Sequence, residues 1–205
     1  MPEIRILTWN VCDLFYEKQR GNIAQKRALL AGACQQHRCA GICVQEAWVC
    51  SKWKPDFDAV WQFPIGDGLA GFPASDWHHH AFDCSSGEDS LARKGFAWRD
   101  FGTCVVYNVH MQADHAIGWG DSRATRRKQL AQLREHMLTH GDRPIVAVGD
   151  FNHRLQGVSR EVAVSAANGL DGTLTRNILP LDLSMHCPCK SELSDHPMYI
   201  VHARW

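Results

Sequence analysis

Side chains that bind metal ions or phosphate recur at the ends of the apolar segments of this sequence. The clearest case is 149–152, Gly-Asp-Phe-Asn, which directly follows the apolar run 145–148. The run favours a buried strand, and residues two apart at a strand end point to the same side. Asp150 offers an anionic oxygen or a base, and Asn152 offers an amide that can donate to a phosphate oxygen. A hard divalent cation and a phosphate require this chemistry, although Gly, Asp and Asn also favour an ordinary turn.

Four other apolar runs carry a similar side chain at one end. In chain order these side chains are Asn10, Glu46, His110 and the pair Asp195-His196. Each has an ordinary explanation when taken alone, as a turn former, a solvated strand end or a core histidine. Taken together, they predict one site at one rim of a β-sheet.

The order of these motifs resembles that of the endonuclease/exonuclease/phosphatase superfamily. The matching positions are Asn10, Gln45-Glu46, Asn108-x-His110, Gly149-Asp150-x-Asn152 and Ser194-Asp195-His196. The resemblance spans nearly the whole chain and implies a metal-dependent phosphodiesterase or phosphatase. It also implies one catalytic domain over residues 1–205 with a DNase I-like α/β fold (α+β in some schemes). In that fold two packed mixed β-sheets, flanked by helices, form a four-layer sandwich.

Two stretches resemble the neutral sphingomyelinases, and the bacterial type above all. Lys94-Gly95 is followed by aromatic residues and then by 110–114, His-Met-Gln-Ala-Asp. Trp48 stands two positions after Glu46, where those enzymes have an aromatic residue. By this resemblance Trp48 and Gln112 bind the substrate. The chain is short for that family and has no clear membrane-inserting aromatic hairpin, which leaves specificity for choline lipids open.

The resemblance implies a metal site and a water-activating pair. Glu46 binds Mg²⁺, with Mn²⁺ as the alternative, because one or two carboxylates with several waters is the usual magnesium pattern. Asn10 lies beside the ion or a phosphate oxygen, and Asp195 reaches a second metal position. Asp150 and His196 orient and deprotonate the attacking water, and the sequence does not settle which of them is the base.

Three further catalytic roles are predicted. Asn152 holds a phosphate oxygen, and His110, if protonated, stabilises charge on the phosphoryl group or protonates the leaving oxygen. A base histidine also needs an orienting carboxylate. Asp182, between two leucines, resembles the superfamily carboxylate that has this role.

The charge composition of the chain helps to distinguish a lipid substrate from a nucleic acid. The formal net charge of the 205 residues is zero, whereas a dedicated nucleic-acid binder usually carries a basic face. We therefore expect hydrolysis of a phospholipid headgroup at a membrane surface, such as sphingomyelin to ceramide and phosphocholine. The alternative is a nuclease or DNA-repair phosphodiesterase acting on nucleic acid, supported by a basic cluster at Arg123, Arg126, Arg127 and Lys128. A third class, a non-catalytic binding protein of this fold, is disfavoured because every catalytic position is filled.

The sequence also predicts the compartment and the oligomeric state of the protein. No apolar run is long enough to form a transmembrane segment, and no signal-peptide pattern is present at the N-terminus. The nine cysteines are an odd number, which favours structural thiols in a reducing cytoplasmic or other intracellular compartment over a disulfide framework. A monomer is the default expectation.

Periodicity predicts the elements that must position these residues. Helices are expected at 22–37 and 122–139, and a long aromatic-rich excursion with short strands at 51–92. Strands are expected at 3–10, 40–46, 144–150, 178–184 and 197–203, with two more within 95–110.

Overall fold

The computed structural model describes most of the chain, in ten segments. These are residues 1–12, 23–47, 68–72, 76–90, 94–114, 120–157, 161–166, 168–178, 181–187 and 193–205. The helices are α1 (Ile23–His37) and α2 (Ser122–Leu138), and a short 3₁₀ helix covers Gly87–Ser90. The strands are β1 (Glu3–Asn10), β2 (Gly41–Gln45), β3 (Ala70–Phe72), β4 (His78–Ala81), β5 (Gly95–Asp100), β6 (Val105–His110), β7 (Ile145–Asp150), β8 (Glu161–Ser165), β9 (Asp171–Arg176), β10 (Leu181–Cys187) and β11 (Met198–Arg204).

The strands form two mixed sheets that pack face to face, with one helix on each outer face. The first sheet has the order β10-β11-β1-β2-β3, and the second has the order β4-β5-β6-β7-β9-β8. Three apolar clusters lie between the four layers. One, which contains Leu7, Leu30 and Val44, lies between α1 and the first sheet. A second, containing Tyr107 and Leu133, lies under α2, and the third fills the space between the sheets. The predicted sandwich is thus confirmed.

Each sheet contains one parallel strand pair. β1 runs parallel to β2 and β6 runs parallel to β7, while the other pairings are antiparallel. A parallel pair requires a crossover connection, usually a helix, and α1 and α2 make these two connections. Ligands of α/β sheets bind beyond the carboxyl ends of such strands, which here are the ends of β1, β2, β6 and β7.

Alternation along the strands aims the polar side chains into the space between the sheets. In β7, Val146 and Val148 belong to the cluster between the sheets, and Asp150 is in phase with them because side chains alternate with a period of two. In β6 the same holds for Val106 and His110. The apolar residues that pack between the sheets therefore also fix the direction of the polar residues at the rim of that space.

A buried polar bridge joins the sheets just inside this rim. Nε2 of Gln45 donates to Oδ1 of Asn108 across 2.6 Å. The amide nitrogen of Asn108 donates in turn to the carbonyl oxygens of Val44 and Ala70, at 3.0 and 2.9 Å. These bonds satisfy the buried amide of Asn108, which would otherwise cost free energy, and they set the position of β2 against β6.

The predicted elements agree with the structure in the first strand, both helices and the central strands. They differ in the last third of the chain. The strand expected at 178–184 is β10, shifted to Leu181–Cys187, and β8 and β9 were not predicted. The described parts of the 51–92 stretch contain β3 and β4, and residues 51–67 lie outside the described segments. In the described residues neither helix combines the length and the apolar character needed to cross a bilayer.

Gly149 is required where β6, β7 and β2 meet. Its φ is +138°, and an added Cβ would overlap the carbonyl oxygen of Val109 and lie 3.1 Å from Nε2 of Gln45. We expect Gly149→Ala to lower the free energy of unfolding by about 3 kcal/mol or more, since overpacking and backbone strain each cost about 1–3 kcal/mol. Urea denaturation measures this change.

The matched control is Gly141→Ala. Gly141 also has a positive φ, +65°, but nothing lies within 4 Å of its added Cβ. It should lose only the left-handed backbone preference of glycine, about 1–2 kcal/mol. Equal losses in the two variants would show that close packing at Gly149 is unimportant.

Candidate active site

The two acidic residues at the rim share one amide. Nδ2 of Asn10 donates to Oε1 of Glu46 at 3.1 Å and to Oδ2 of Asp150 at 2.9 Å. Its Oδ1 accepts from the backbone N–H of Cys12 at 3.0 Å. Asn10 was predicted to lie beside a metal ion, and the structure places it between the carboxylates. It presents its amide nitrogen, which has no lone pair for a cation, and so it positions the carboxylates.

Asp150 is the central acid of the site. Its side chain is buried, and its Oδ1 accepts from the backbone N–H of Asn152 at 2.9 Å. Asn152 adopts a positive φ of 51° and its Nδ2 donates to the carbonyl oxygen of Met111 at 2.9 Å. The predicted pair, Asp150 and Asn152, therefore forms a tight turn at the end of β7 that ties this strand to the end of β6.

His110 and a buried lysine face the same carboxylates. Nε2 of His110 lies 3.6 Å from Oε1 of Glu46 and 3.9 Å from Oδ2 of Asp150. Nζ of Lys94 lies 2.5 Å from the same nitrogen. A lysine ammonium donates and never accepts, so Nε2 of His110 is the acceptor and Lys94 carries the positive charge here. The sequence prediction gave this role to His110 on the condition that its ring is protonated.

His196 is anchored by Asp171. Nδ1 of His196 lies 2.9 Å from Oδ2 of Asp171, and Nε2 lies 3.8 Å from Oδ2 of Asp150. Asp171 begins β9 and stands directly opposite Asp150 in the antiparallel β7–β9 pair. The imidazole is therefore held between two carboxylates of one sheet, in the arrangement that orients a histidine for proton transfer.

The end of β1 holds the segment that carries His196. Oγ of Ser194 donates to the carbonyl oxygen of Asn10 at 2.6 Å and accepts from the backbone N–H of His196 at 3.0 Å. Nε1 of Trp9 donates to the carbonyl oxygen of His196 at 2.9 Å. The histidine thus spans the two sheets: its backbone is fixed to the first and its ring to the second.

The surrounding charges control the protonation of His196. Burial lowers its pKa, but the hydrogen bond to Asp171 and the charges of Asp171, Asp150 and Asp195 outweigh burial and raise the pKa to about 9. The folded pKa thus exceeds the ordinary value of 6.5. Without a bound cation, His196 stabilises the fold fully below about pH 6.5 and loses this contribution as the pH rises through about 9.

The surroundings of Glu46 and Asp150 favour the neutral form of each carboxyl group. Burial raises the pKa of Glu46, and the charge of Asp150 raises it further. Burial and the charge of Asp171 likewise raise the pKa of Asp150, although His196, Lys94 and the Asn10 amide oppose the shift. Two buried carboxylates that are unfavourable as a pair of anions form a site that a cation would stabilise.

The donor atoms are close enough for one ion. One atom each from Glu46, His110 and Asp150 lie within 4.8 Å of one another, and the same is true of Asp150, Asp171 and His196. The two carboxylates of the first group fit the ligand preference of Mg²⁺, whereas Nε2 of His110 already accepts from Lys94. In the second group a protonated imidazole already occupies the space between the acids.

Asp182 does not occupy the position predicted for it. The register of β10 on β11 pairs Asp182 with His202, whereas Cys187 pairs with Met198, the strand residue nearest His196. At about 3.3 Å per residue, Asp182 lies about 13 Å along the strand from Met198, the end of β11 that His196 precedes. The carboxylate bonded to His196 is that of Asp171, and the register moves Asp182 away from the position predicted for it.

Asp195, Gln112 and Trp48 are the other residues predicted to lie in the site. Asp195 is exposed and belongs to neither donor group among the described residues. Gln112 is buried, and its side chain accepts from the N–H of Ser86 at 2.8 Å and donates to Asp89 at 2.8 Å. It therefore braces the loops beside the site, where a substrate contact was predicted. Trp48 lies outside the described residues.

Two functional side chains were missed by the assignment from sequence. Asp171 lies in a strand that was not predicted, between Gly169 and Gly172, and no spacing rule marks it. Lys94 stands in the Lys-Gly motif that resembles the sphingomyelinases but received no role. Its neighbour Gly95 pairs with His110 in the β5–β6 register, and this pairing is what brings Lys94 to the rim.

Known proteins match this chain in structure. No protein-family profile matches the chain, and no curated protein sequence matches it. Solved structures do match. Sphingomyelinase C from Streptomyces griseocarneus aligns with a TM-score of 0.68 and 15% identity, over 99% of each chain.

Two further structures agree. D. rerio TDP2, solved with a single-strand DNA product, has a TM-score of 0.68 and 13% identity over 99% of each chain. An endonuclease/exonuclease/phosphatase family protein from Bacteroides thetaiotaomicron has a TM-score of 0.61 and 14% identity over 98% of each chain. At these identities the likeness establishes the fold, and it confirms at that level the resemblance seen in the sequence.

The Asp171–His196 pair predicts a specific titration. We expect Asp171→Asn to lower the pKa of His196 clearly below about 9, because the amide carries no negative charge to favour the imidazolium. NMR titration of the histidine ring protons in the presence of a chelator measures this pKa. Asp182→Asn is the control and should leave the curve unchanged, and a larger shift in that variant would restore Asp182 as the partner.

The acidic pair predicts where a cation binds. Glu46→Gln should lower the affinity for Mg²⁺ or Mn²⁺ by about tenfold or more, since losses outside the direct ligands already cost about that much. Isothermal titration calorimetry measures the affinity. Asp195→Asn keeps the donor groups intact and should change it little. A large loss in that variant, with Glu46→Gln unaffected, would place the cation at Asp195.

Proposed function

We propose that this chain, which has the endonuclease/exonuclease/phosphatase fold, is a metal-dependent phosphodiesterase. The metal we propose is Mg²⁺, with Mn²⁺ as the alternative. The substrate we propose is a phospholipid headgroup such as that of sphingomyelin, cleaved to ceramide and phosphocholine. The observation that carries the proposal is the sharing of Asp150 by two groups, a cation-binding carboxylate pair with Glu46 and an imidazole held by Asp171.

Phosphodiester hydrolysis requires neutralisation of the phosphate charge, an activated water and help for the leaving oxygen. Glu46 and Asp150 would hold the metal, which when bound supplies Lewis acidity to the phosphate oxygens. The ammonium of Lys94, 2.5 Å from Nε2 of His110, adds a fixed positive charge on the same side. Preorganised charge of this kind acts most strongly where water is excluded, and both residues are buried.

Proton transfer falls to His196 and Asp150. Oδ2 of Asp150 and Nε2 of His196 are 3.8 Å apart, so both can contact one attacking water. Asp171 holds the opposite ring nitrogen and keeps Nε2 directed at that water. Neutralising the charge on Asp150 lowers the pKa of His196 from about 9 toward the range in which Nε2 can accept the proton. The protonated form of the same ring can donate to the leaving oxygen.

The lipid substrate is supported by three observations. The Lys94-Gly95 and His110-to-Asp114 motifs resemble the sphingomyelinases, and Lys94 lies in the site. The fold is shared with a sphingomyelinase C. The net charge of zero provides no general attraction to nucleic acid.

A nucleic-acid substrate is the second candidate, because of the charge beside Asn152. His153 is exposed. Burial of part of its ring lowers its pKa, and the positive charges of Arg126, Arg123 and Arg127 lower it further. Arg126 is buried and bound to Asp114 at 2.6 Å, whereas Arg123 and Arg127 are exposed. This basic rim at the N-terminal end of α2 could follow a phosphate backbone.

The activity test uses both substrate classes with Mg²⁺. We expect phosphocholine release from sphingomyelin in detergent micelles to exceed nicking of plasmid DNA, and chelator to abolish it. His196→Ala should lower turnover by about 10²–10⁴, the usual range for loss of a general acid or base, with an unchanged circular dichroism spectrum. Full activity with excess chelator, or in His196→Ala, would contradict the mechanism.

A paired variant separates the two substrates. Replacing Arg123 and Arg127 together by Ala should leave lipid hydrolysis unchanged, because neither residue contacts the buried donor set. If nucleic acid is the true substrate, its cleavage should fall, and the salt dependence of binding should flatten by about one unit for each phosphate interaction that is removed. If neither sphingomyelin nor DNA reacts, the proposed function is wrong, and calorimetry still tests the metal site separately.

A further inference from the structure

The C-terminal end of α1 brings two cysteines together. Arg38 adopts a left-handed φ of 52°, and its N–H donates to the carbonyl oxygen of Gln35 at 3.2 Å. The N–H of Cys39 donates to the carbonyl oxygen of Cys34 at 2.9 Å. These two bonds and the left-handed residue define a Schellman motif, in which the side chains at the positions of residues 34 and 39 usually meet in an apolar contact. Here both positions are cysteine.

The two cysteines are in contact and partly exposed. Sγ of Cys34 lies 3.5 Å from the carbonyl oxygen of Cys39, and both side chains pack against the apolar cluster under α1. Both are free and half-buried. Cys43 and Cys104 are instead buried between the sheets, and burial raises the pKa of each thiol.

The two thiols differ in reactivity: Cys34 is the nucleophile, and Cys39 is the proton donor. The hydrogen bond from the Cys39 thiol lowers the pKa of Cys34 to about 7, against the opposing effect of burial. The same bond raises the pKa of Cys39. Since the thiolate is the reactive form of cysteine, Cys34 can be attacked by an oxidant near neutral pH while Cys39 keeps its proton.

We propose that Cys34 and Cys39 form a redox modification site, which a peroxide converts to a disulfide. Hydrogen peroxide transfers one oxygen to the Cys34 thiolate, giving a sulfenic acid as the peroxide is reduced to water. The Cys39 sulfur then attacks the Cys34 sulfur, the S–S bond forms, the S–O bond breaks, and the departing hydroxide takes the Cys39 proton as water. In total, two thiols and one peroxide give one disulfide and two waters.

The site lies at the far end of α1 from the acids. The N–H of Ala40 donates to the carbonyl oxygen of Arg5 at 2.8 Å, near the start of β1. At the other end of the helix, Nζ of Lys26 donates to the carbonyl oxygen of Val11 at 2.6 Å, next to Asn10. The disulfide would therefore close the helix end without touching the donor set, and the proposal does not depend on the proposed function.

Peptide mapping tests the bond directly. Trypsin cleaves after Arg38 and separates the two cysteines, so the disulfide joins peptides 28–38 and 39–52. After peroxide treatment at neutral pH and alkylation of the remaining thiols, we expect this joined pair, two hydrogens lighter than the two peptides together. A dithiol reductant should release it. Because 39–52 also holds Cys43 and Cys50, the variant Cys43→Ser/Cys50→Ser should keep the joined pair, and Cys39→Ala should lose it.

Alkylation kinetics test the pairing in the reduced protein. Cys39→Ala removes the thiol donor, so the pH midpoint of iodoacetamide reaction at Cys34 should rise from about 7 and the rate at neutral pH should fall about tenfold. Cys84, bound to the carbonyl oxygen of Thr125, is the internal control and should be unaffected. Over-oxidation of Cys34 to sulfinic acid with Cys39 still free, or an unchanged rate in Cys39→Ala, would overturn the proposal.

Discussion

The carboxylate of Asp150 is the point on which the rest of this molecule depends. A buried carboxylate costs several kcal/mol unless partners replace its water, and here the partners come from separate parts of the chain. Asn10 reaches it from the first sheet, Asn152 from the turn after its own strand, and His196 from the segment before β11. These groups connect the two sheets at the rim. The same requirement gives the site its geometry, because each group that compensates Asp150 is thereby held at a fixed distance from the others.

Side-chain alternation made much of this predictable from sequence. Asn10, His110 and Asp150, at the ends of β1, β6 and β7, share a phase with the apolar residues between the sheets, so their convergence follows from local pattern. Glu46 lies just past β2 with a left-handed φ of 58°, and alternation does not set its direction. Asp171 could not be found this way. Its strand is short, contains Gly172 and three threonine or arginine positions, and matters only because it pairs with β7. Pairing between distant strands leaves no local pattern, and Asp182 was predicted instead because its position between two leucines resembles the superfamily's orienting carboxylate.

The same limit applies to the polar residues around the rim. Gln112 has the chemistry of a substrate ligand, yet its side chain and backbone are bound to Ser86, Asp89, Gln129 and Arg126. These bonds tie the loop after β6 to the 3₁₀ helix and to α2. The basic cluster of α2 likewise divides in two, since Arg126 is buried in this network while its neighbours remain exposed. Residue type alone does not separate a group that shapes a site from one that contacts a ligand.

The two parallel strand pairs have a further consequence for how the protein assembles. Glu46 follows the first pair, while Asp150 ends the second, which is more than 50 residues farther along the chain. Neither half contains both carboxylates, so a cation that needs this pair would not bind a chain in which only one half is folded. Binding energy gained only by the native state adds directly to its stability through mass action. The concentration of divalent cation would then govern both reactivity and the fraction of chains that remain folded.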